Sequence, residues 1–108
     1  MNQRELYTSL SHAGCKIMAF EDYPSQYGSW RVSFMVANSF CEVNCNRGDS
    51  ILSLTSKNAL KGNQTIRVKS RQLVSDQLEI GKVVDWVRSL RSNINNSSIE
   101  VIESVSQQ

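Results

Sequence analysis

The chain has 108 residues, of which 40% are hydrophobic and 20% charged, and its formal net charge is +2 at pH 7. These values fit one globular domain over residues 1–108 that can fold without a metal or disulfides. They exclude a wholly disordered chain, and a charge of +2 is too small to indicate a polyanionic partner by itself.

Several features bear on where the protein works. The amino-terminal segment lacks the basic and apolar regions of a secretory signal peptide. No run of residues approaches the ~18 apolar residues that a membrane span needs. The cysteines Cys15, Cys41 and Cys45 are odd in number and lack Cys-x-x-Cys spacing, which is typical of a reducing compartment. We therefore expect a cytoplasmic protein without a membrane partner.

The first predicted element is a helix over residues 3–13, where apolar side chains recur at helical spacing. Gly14 follows at the place where a glycine commonly ends a helix in the left-handed conformation. An alternative continues the helix through Met18. We favour the stop, because an interior glycine costs about 0.5–1 kcal/mol and residues 17–20 can form a strand.

The stretch from Ser29 to Thr55 contains three runs in which apolar and polar residues alternate. Turn residues at Asn38-Ser39 and over 46–50 separate the runs, so the pattern predicts an antiparallel meander with one buried face. The expected inward residues are Trp30, Val32, Phe34, Val36, Cys41, Val43, Cys45, Leu52 and Leu54. The Arg47–Ser50 segment contains an Arg-Gly-Asp tripeptide, which we interpret as a glycine-containing hairpin turn.

A polar loop is expected over residues 56–64 and a fifth strand over 65–69. Asp76 is predicted to cap a second helix, with Glu79 completing an acidic capping box. Its apolar stripe is formed by Ile80, Val83, Val84, Val87 and Leu90, with Trp86 at the border. Residues 92–108 fit either a late edge strand or a frayed tail. The predicted fold is α+β, an antiparallel four- to five-stranded meander with an N-terminal and a C-terminal helix packed on one face.

Catalytic and metal-binding chemistry has little support. His12, the one histidine, lies on the first helix and points away from its apolar stripe. Cys41 and Cys45 share the inward direction of the core, so burial explains them more simply than nucleophilic catalysis. Residues four apart on a strand lie about 13 Å apart, too far for both to bind one zinc ion. We expect no enzymatic activity, no metal and no cofactor.

Charge is uneven along the chain, because no acidic residue occurs between Asp49 and Asp76. The basic residues of that segment are Lys57, Lys61, Arg67, Lys69 and Arg71. Arg67 and Lys69 should point to the open face of the sheet, as should Arg31. The simplest interpretation is a solvated face with a protected edge. An acidic protein partner and a nucleic acid are the alternatives, and nucleic acid is unlikely because aromatic residues are not interleaved.

Tyr23 and Tyr27 flank Pro24 in a loop and are aromatic residues of the kind enriched in interfaces, although they could instead close over the end of the core. The alternation also assigns Glu42 and Asn44 to the open face. The predicted partner-binding residues are therefore Tyr23, Tyr27, Arg31, Glu42, Asn44, Arg67, Lys69 and Arg71.

Four stretches together define the layout of the chain. They are Glu5-Leu-Tyr-Thr-Ser-Leu before Gly14, Gly28-Ser-Trp30 at a strand start, the meander to Leu54, and Val84-Asp-Trp-Val. This layout resembles the small bacterial immunity proteins encoded beside contact-dependent or polymorphic toxins. The resemblance implies a non-enzymatic protein that binds one cognate toxin domain and blocks it. Immunity proteins against nucleases are often acidic mimics of the substrate. The basic segment therefore favours docking beside the toxin's active site or on an acidic patch.

Two alternatives remain. The element order is also similar to that of type III secretion chaperones, which bind protein cargo, but those are typically acidic. An RNA-binding α+β module would use Arg31, Arg67, Lys69 and Arg71 on the open face.

Overall fold

The computed structural model of the protein describes residues 1–69 and 75–95. It has an α+β fold in which a five-stranded antiparallel sheet of order β1-β2-β3-β4-β5 packs against two helices. The elements are α1 (Gln3–His12), β1 (Lys16–Tyr23), β2 (Ser29–Val36), β3 (Ser39–Asn46), β4 (Ile51–Asn58), β5 (Gly62–Lys69) and α2 (Asp76–Asn95). The predicted fold class and meander are confirmed.

Helix α1 begins and ends where the sequence predicts. The Asn2 side chain caps it by accepting the backbone N–H of Glu5 at 3.1 Å. Gly14 follows with φ +89°, and a Cβ there would lie only 2.9 Å from Nη1 of Arg91. That same Nη1 donates to the Ala13 carbonyl at 2.8 Å. Glycine therefore provides both the left-handed turn and the space for an arginine that caps the helix end.

Alternation in the strands places one face of the sheet under the helices. The fully buried residues include Trp30, Val32, Phe34, Cys41, Val43 and Leu52 on the sheet and Leu6, Leu10, Val83 and Val87 on the helices. Burial of each large apolar side chain stabilises the fold by roughly 1.5–3 kcal/mol. Trp86 packs edge-on against Phe34, with ring centroids 6.4 Å apart. It is buried rather than at the border, while Val84, expected in the core, is only partly buried.

The β4–β5 connection is shorter than predicted. Residues 56–58 and 62–64, expected to be loop, belong to the two strands, and only 59–61 form the turn. The Asn58 side chain accepts the N–H groups of Leu60 and Lys61 at 2.8 and 3.1 Å. Gly62 follows at φ +79°. A polar hairpin tip explains the composition that resembled a loop.

Helix α2 differs from its prediction at both ends. Ser75, not Asp76, is the capping residue, since its carbonyl accepts the Glu79 N–H at 3.0 Å. The helix continues beyond Leu90 to Asn95, and Arg91 in this added turn donates to the carbonyl of Ala13, which follows α1. The prediction of an edge strand or frayed tail over 92–108 is therefore wrong for residues 92–95, and residues 96–108 lie outside the described residues. In the described ranges, no helix is long and apolar enough to cross a membrane.

Candidate functional site

The sheet face away from the helices, here called the open face, carries most of the predicted partner-binding residues. Arg31 pairs with Asn44 across β2 and β3, and Glu42 lies two residues earlier on β3. Arg67 and Lys69 lie on β5, and β4 separates them from β3. Strand alternation therefore places these residues on the face that the sequence predicts, but in two groups.

Arg31 forms ion pairs with two carboxylates. It bonds to Oε1 of Glu21, its register partner on β1, and its Nη1 lies 3.8 Å from Oε2 of Glu42. The Tyr23 hydroxyl also donates to Oε1 of Glu21 at 2.9 Å. Hydrogen bonds from Tyr23 and Arg31 hold the pKa of Glu21 below its ordinary value. Arg31 is therefore not a free cation, because two carboxylates offset its charge.

The cations of the other group are exposed. Arg67 and Lys69 on β5 share the open face with Lys57 on β4. Within residues 1–69 and 75–95, none of the three forms an ion pair. Arg71, the remaining predicted residue, lies outside the described residues. The positive charge of the open face is therefore concentrated at its β4–β5 side.

Tyr27 lies in the β1–β2 turn with 81% of its surface exposed. Its φ is +62°, in the left-handed region that costs a side-chain-bearing residue about 1–2 kcal/mol, and Gly28 follows at φ +78°. The turn is closed by Gln26 N–H donating to the Tyr23 carbonyl at 2.9 Å and by Ser29 N–H donating to the Gln26 carbonyl at 3.1 Å. The alternative that the tyrosines close over the core therefore fails for Tyr27.

The β3–β4 turn lies directly beside this aromatic ring. A Cβ on Gly48 would lie 3.0 Å from Cδ2 of Tyr27, so the ring packs on the turn backbone. Asn46 and Asp49 exchange two hydrogen bonds of 3.1 Å that hold the same turn. The predicted hairpin turn over 47–50 is confirmed. Between the two turns is a shallow depression of about 530 Å³, here called the turn pocket, lined by Tyr23, Tyr27, Trp30, Asn44, Asn46 and Asp49 among others.

Beneath the two turns lies a buried carboxylate, that of Glu79, with no exposed surface. Its Oε1 accepts Trp30 Nε1–H at 2.8 Å and Arg47 Nη2–H at 2.6 Å. Its Oε2 accepts Arg47 Nε–H at 2.9 Å and lies 3.3 Å from Sγ of Cys45. Arg47 Nη2 also bonds Asp76 Oδ1 at 2.5 Å. A bidentate arginine, an indole and a thiol therefore satisfy the charge that the fold has buried.

This buried cluster is connected to the turn that carries Tyr27. The backbone N–H of Arg47 donates to Oγ of Ser29 at 3.0 Å, and that hydroxyl donates to the Gln26 carbonyl at 2.8 Å. A Cβ on Gly28 would lie 3.0 Å from Nη1 of Arg47, so glycine is needed where the turn crosses the guanidinium. Glu79 of α2 thus positions both turns through one arginine.

Sequence patterns do not identify Arg47 or Glu79 as a pair. One indication is available, because Glu79 lies four and eight residues before Val83 and Val87 and so falls on the apolar stripe of α2. A carboxylate at such a position requires a buried partner. Its ion pair with Arg47 is the feature that the capping-box interpretation missed.

His12 is exposed and lines a shallow groove of about 410 Å³ between the helices, together with Glu5, Asp85 and Arg88. No cysteine lines that groove among the described residues. The described part of the chain also contains no group of three His, Cys, Asp or Glu residues that could hold a metal ion.

Comparisons of the chain with protein-family models, with curated proteins and with solved structures found no match. Function therefore has to be inferred from the residues themselves.

Proposed function

We propose that this chain is a non-enzymatic protein-binding module that binds and neutralises a cognate bacterial toxin domain in the cytoplasm. The partner docks on the end of the molecule formed by the β1–β2 and β3–β4 turns and on the adjoining open face. The observation that carries the proposal is the conformation of Tyr27, exposed and held at φ +62°. The identity of the partner as a toxin rests on the resemblance of the sequence layout to immunity proteins.

Tyr27 has the properties of an interface anchor. Aromatic side chains dominate binding hot spots because they bury much area while losing few rotatable bonds. A strained backbone persists only when the surroundings over-determine it, and such residues cluster at binding sites. Here Gly48 packs against the ring and Arg47 supports the turn through Ser29. The ring is therefore already held in place, so it loses little conformational entropy when a partner binds.

The open face that continues from this anchor supplies further area. Met35 and Phe40 are register partners at its far end and are half-buried, so they offer apolar surface. Among the described elements, both helices pack on the opposite face. The cations on β4 and β5, which form no ion pair in the part of the chain that the structure describes, favour a partner with an acidic patch at that side, since charge complementarity speeds association.

Nucleic acid is less well supported than a protein. The carboxylates of Glu21 and Glu42 lie against Arg31, where an RNA-binding face would offer its cation to a phosphate. Phe40 lies at the opposite end of the strands from Tyr23, whereas single-stranded RNA is usually bound by stacking on several neighbouring aromatic residues.

A growth assay tests the proposal. The assay first requires a neighbouring gene for a large secreted protein, whose C-terminal domain is then expressed as the candidate toxin in cells with or without the chain. We expect the wild-type chain and the Leu60→Ala variant to restore growth and Tyr27→Ala to fail. Leu60 is the matched control, because it is 94% exposed in a turn at the opposite end of the strands. Failure of the wild type to restore growth would contradict the proposed function.

A further inference from the structure

The turn pocket is electrostatically one-sided. Asp49 supplies a carboxylate to its lining, whereas no lysine or arginine of the described residues lines it. The two arginines nearest in the chain are already paired, Arg47 with Glu79 and Asp76 on the inner side and Arg31 with Glu21 and Glu42 on the outer side. Lys69, the register partner of Ile51, lies at the same end of the sheet but does not line the pocket, so the lining itself favours a cation.

The Asp49 carboxylate is held in place but not neutralised. Its Oδ2 accepts one hydrogen bond from Asn46 Nδ2 at 3.1 Å, and its backbone N–H donates to Asn46 Oδ1. Within residues 1–69 and 75–95, no basic side chain forms an ion pair with it. An anchored carboxylate with free acceptor positions is suited to accept hydrogen bonds from an incoming donor.

The other lining residues favour arginine over lysine. Tyr23 and Tyr27 provide aromatic rings, on which a planar guanidinium stacks and makes cation–π contacts. Asn44 is exposed and offers an amide oxygen to the remaining guanidinium donors. A guanidinium has five donors in a flat fork, whereas an ammonium is a compact and strongly hydrated point charge.

We propose that the turn pocket binds an arginine side chain of the partner, stacked on Tyr27 and paired with Asp49. This inference rests on the proposed function, since it names the partner chemistry at the same docking surface. It differs from the sequence-based expectation of a basic surface for an acidic partner. The positive charge lies on β4 and β5, and the turn pocket accepts positive charge instead.

The test uses N-acetyl-arginine amide as the probe and N-acetyl-citrulline amide, its neutral isostere, as the control. Each is titrated into the isotopically labelled chain while amide chemical shifts are recorded. We expect saturable shifts at residues 26–28 and 44–49 with the arginine probe and at least fivefold weaker binding of the citrulline probe. Asp49→Asn should weaken arginine binding at least fivefold, because it removes the charge and retains an acceptor for Asn46. The matched control Asp85→Asn, in the groove between the helices, should not.

Equal binding of the two probes, shifts confined to other regions, or an equal loss in Asp85→Asn would each overturn the inference. So would the absence of saturable shifts with the arginine probe. Because the probe is a free amino-acid derivative, these outcomes concern the pocket alone. Failure to neutralise a toxin in cells would instead contradict the proposed function.

Discussion

Arg47 Nη2 lies 2.6 Å from Glu79 Oε1, although the two residues are 32 positions apart in the chain. Arg47 belongs to the β3–β4 turn and Glu79 to the first turn of α2. The Glu79 carboxylate is completely buried and also accepts the indole N–H of Trp30. One ion pair therefore joins a helix, a strand and the turns that carry the proposed binding surface.

Removing the carboxylate should destabilise the fold strongly. Glu79→Ala leaves the Arg47 guanidinium and the Trp30 indole without their main acceptor, and breaking a buried ion pair from one side costs about 3–5 kcal/mol. Chemical denaturation measures this loss, with Glu5→Ala on exposed α1 surface as the matched control. A double variant with Arg47→Met and Glu79→Leu should lose less than the two single substitutions added together. A loss below 1 kcal/mol for Glu79→Ala would contradict the structural role.

Asp76 makes part of this stabilisation dependent on pH. Burial acts to raise the pKa of Asp76, but the hydrogen bonds from Arg47 and the Asn2 N–H outweigh it and hold the pKa below its ordinary value. A carboxyl whose pKa is depressed in the folded state stabilises above its unfolded pKa, and this contribution is lost as the pH falls through the folded value. Denaturation should therefore show Asp76→Asn less stable than wild type at pH 7, with the difference shrinking below pH ~4. A difference that grows on acidification would contradict this sign.

The fold could be predicted largely because its determinants are local in sequence. Period-two alternation places Trp30, Val32 and Phe34 on the buried face, and Gly14 marks the end of α1 whatever packs against it. Local rules fail where a tertiary contact competes with them. Asp76 and Glu79 form a good capping pattern, yet burial beside Arg47 determines what both carboxylates bond.

The candidate site was only partly predictable for the same reason. Alternation assigns Arg31 and Arg67 to one face but does not give the strand register, which pairs Arg31 with Glu21 and cancels its charge. Tyr27 could be identified as a loop aromatic, whereas its left-handed φ and its contact with Gly48 depend on two turns meeting. The sequence therefore locates the charged residues and the turns. Which residues contact them depends on the assembled sheet.

The three thiols should be unreactive in the folded protein. All three are buried, and burial raises the pKa of Cys15 to about 11 and those of Cys41 and Cys45 to about 12. Since the thiolate is the nucleophile, a disulfide reagent at pH 8 should modify none of them faster than the protein unfolds. The absorbance of the chromophoric thiol that the reagent releases measures this rate. Full reaction of the protein in denaturant is the control. A fast-reacting thiol in native buffer would contradict the described burial.

RNA binding should be negligible at physiological salt. Arg31 is paired with Glu21 and Glu42, and the three cations on β4 and β5, unpaired among the described residues, cannot maintain affinity when counterions compete. Fluorescence anisotropy with a mixed-sequence single-stranded RNA measures this directly. Micromolar or tighter binding that is lost in the double variant Arg67→Ala with Lys69→Ala would favour the RNA-binding alternative. The matched control on α2, Lys82→Ala with Arg88→Ala, would have to keep that binding.

The central claim is that Tyr27 is kept in a strained conformation for binding. Tyr27→Gly removes the ring and relieves the left-handed strain, so the free energy of unfolding should stay unchanged or rise by up to about 1 kcal/mol. Ala37→Gly is the matched control, because Ala37 has φ +51° in the β2–β3 turn at the other end of the strands.

Calorimetry of these two variants against the cognate toxin domain tests that claim most directly. We expect Tyr27→Gly to weaken binding by 2 kcal/mol or more, which is about thirtyfold in Kd, while Ala37→Gly binds like wild type. A Tyr27→Gly variant that binds as tightly as wild type would contradict the claim.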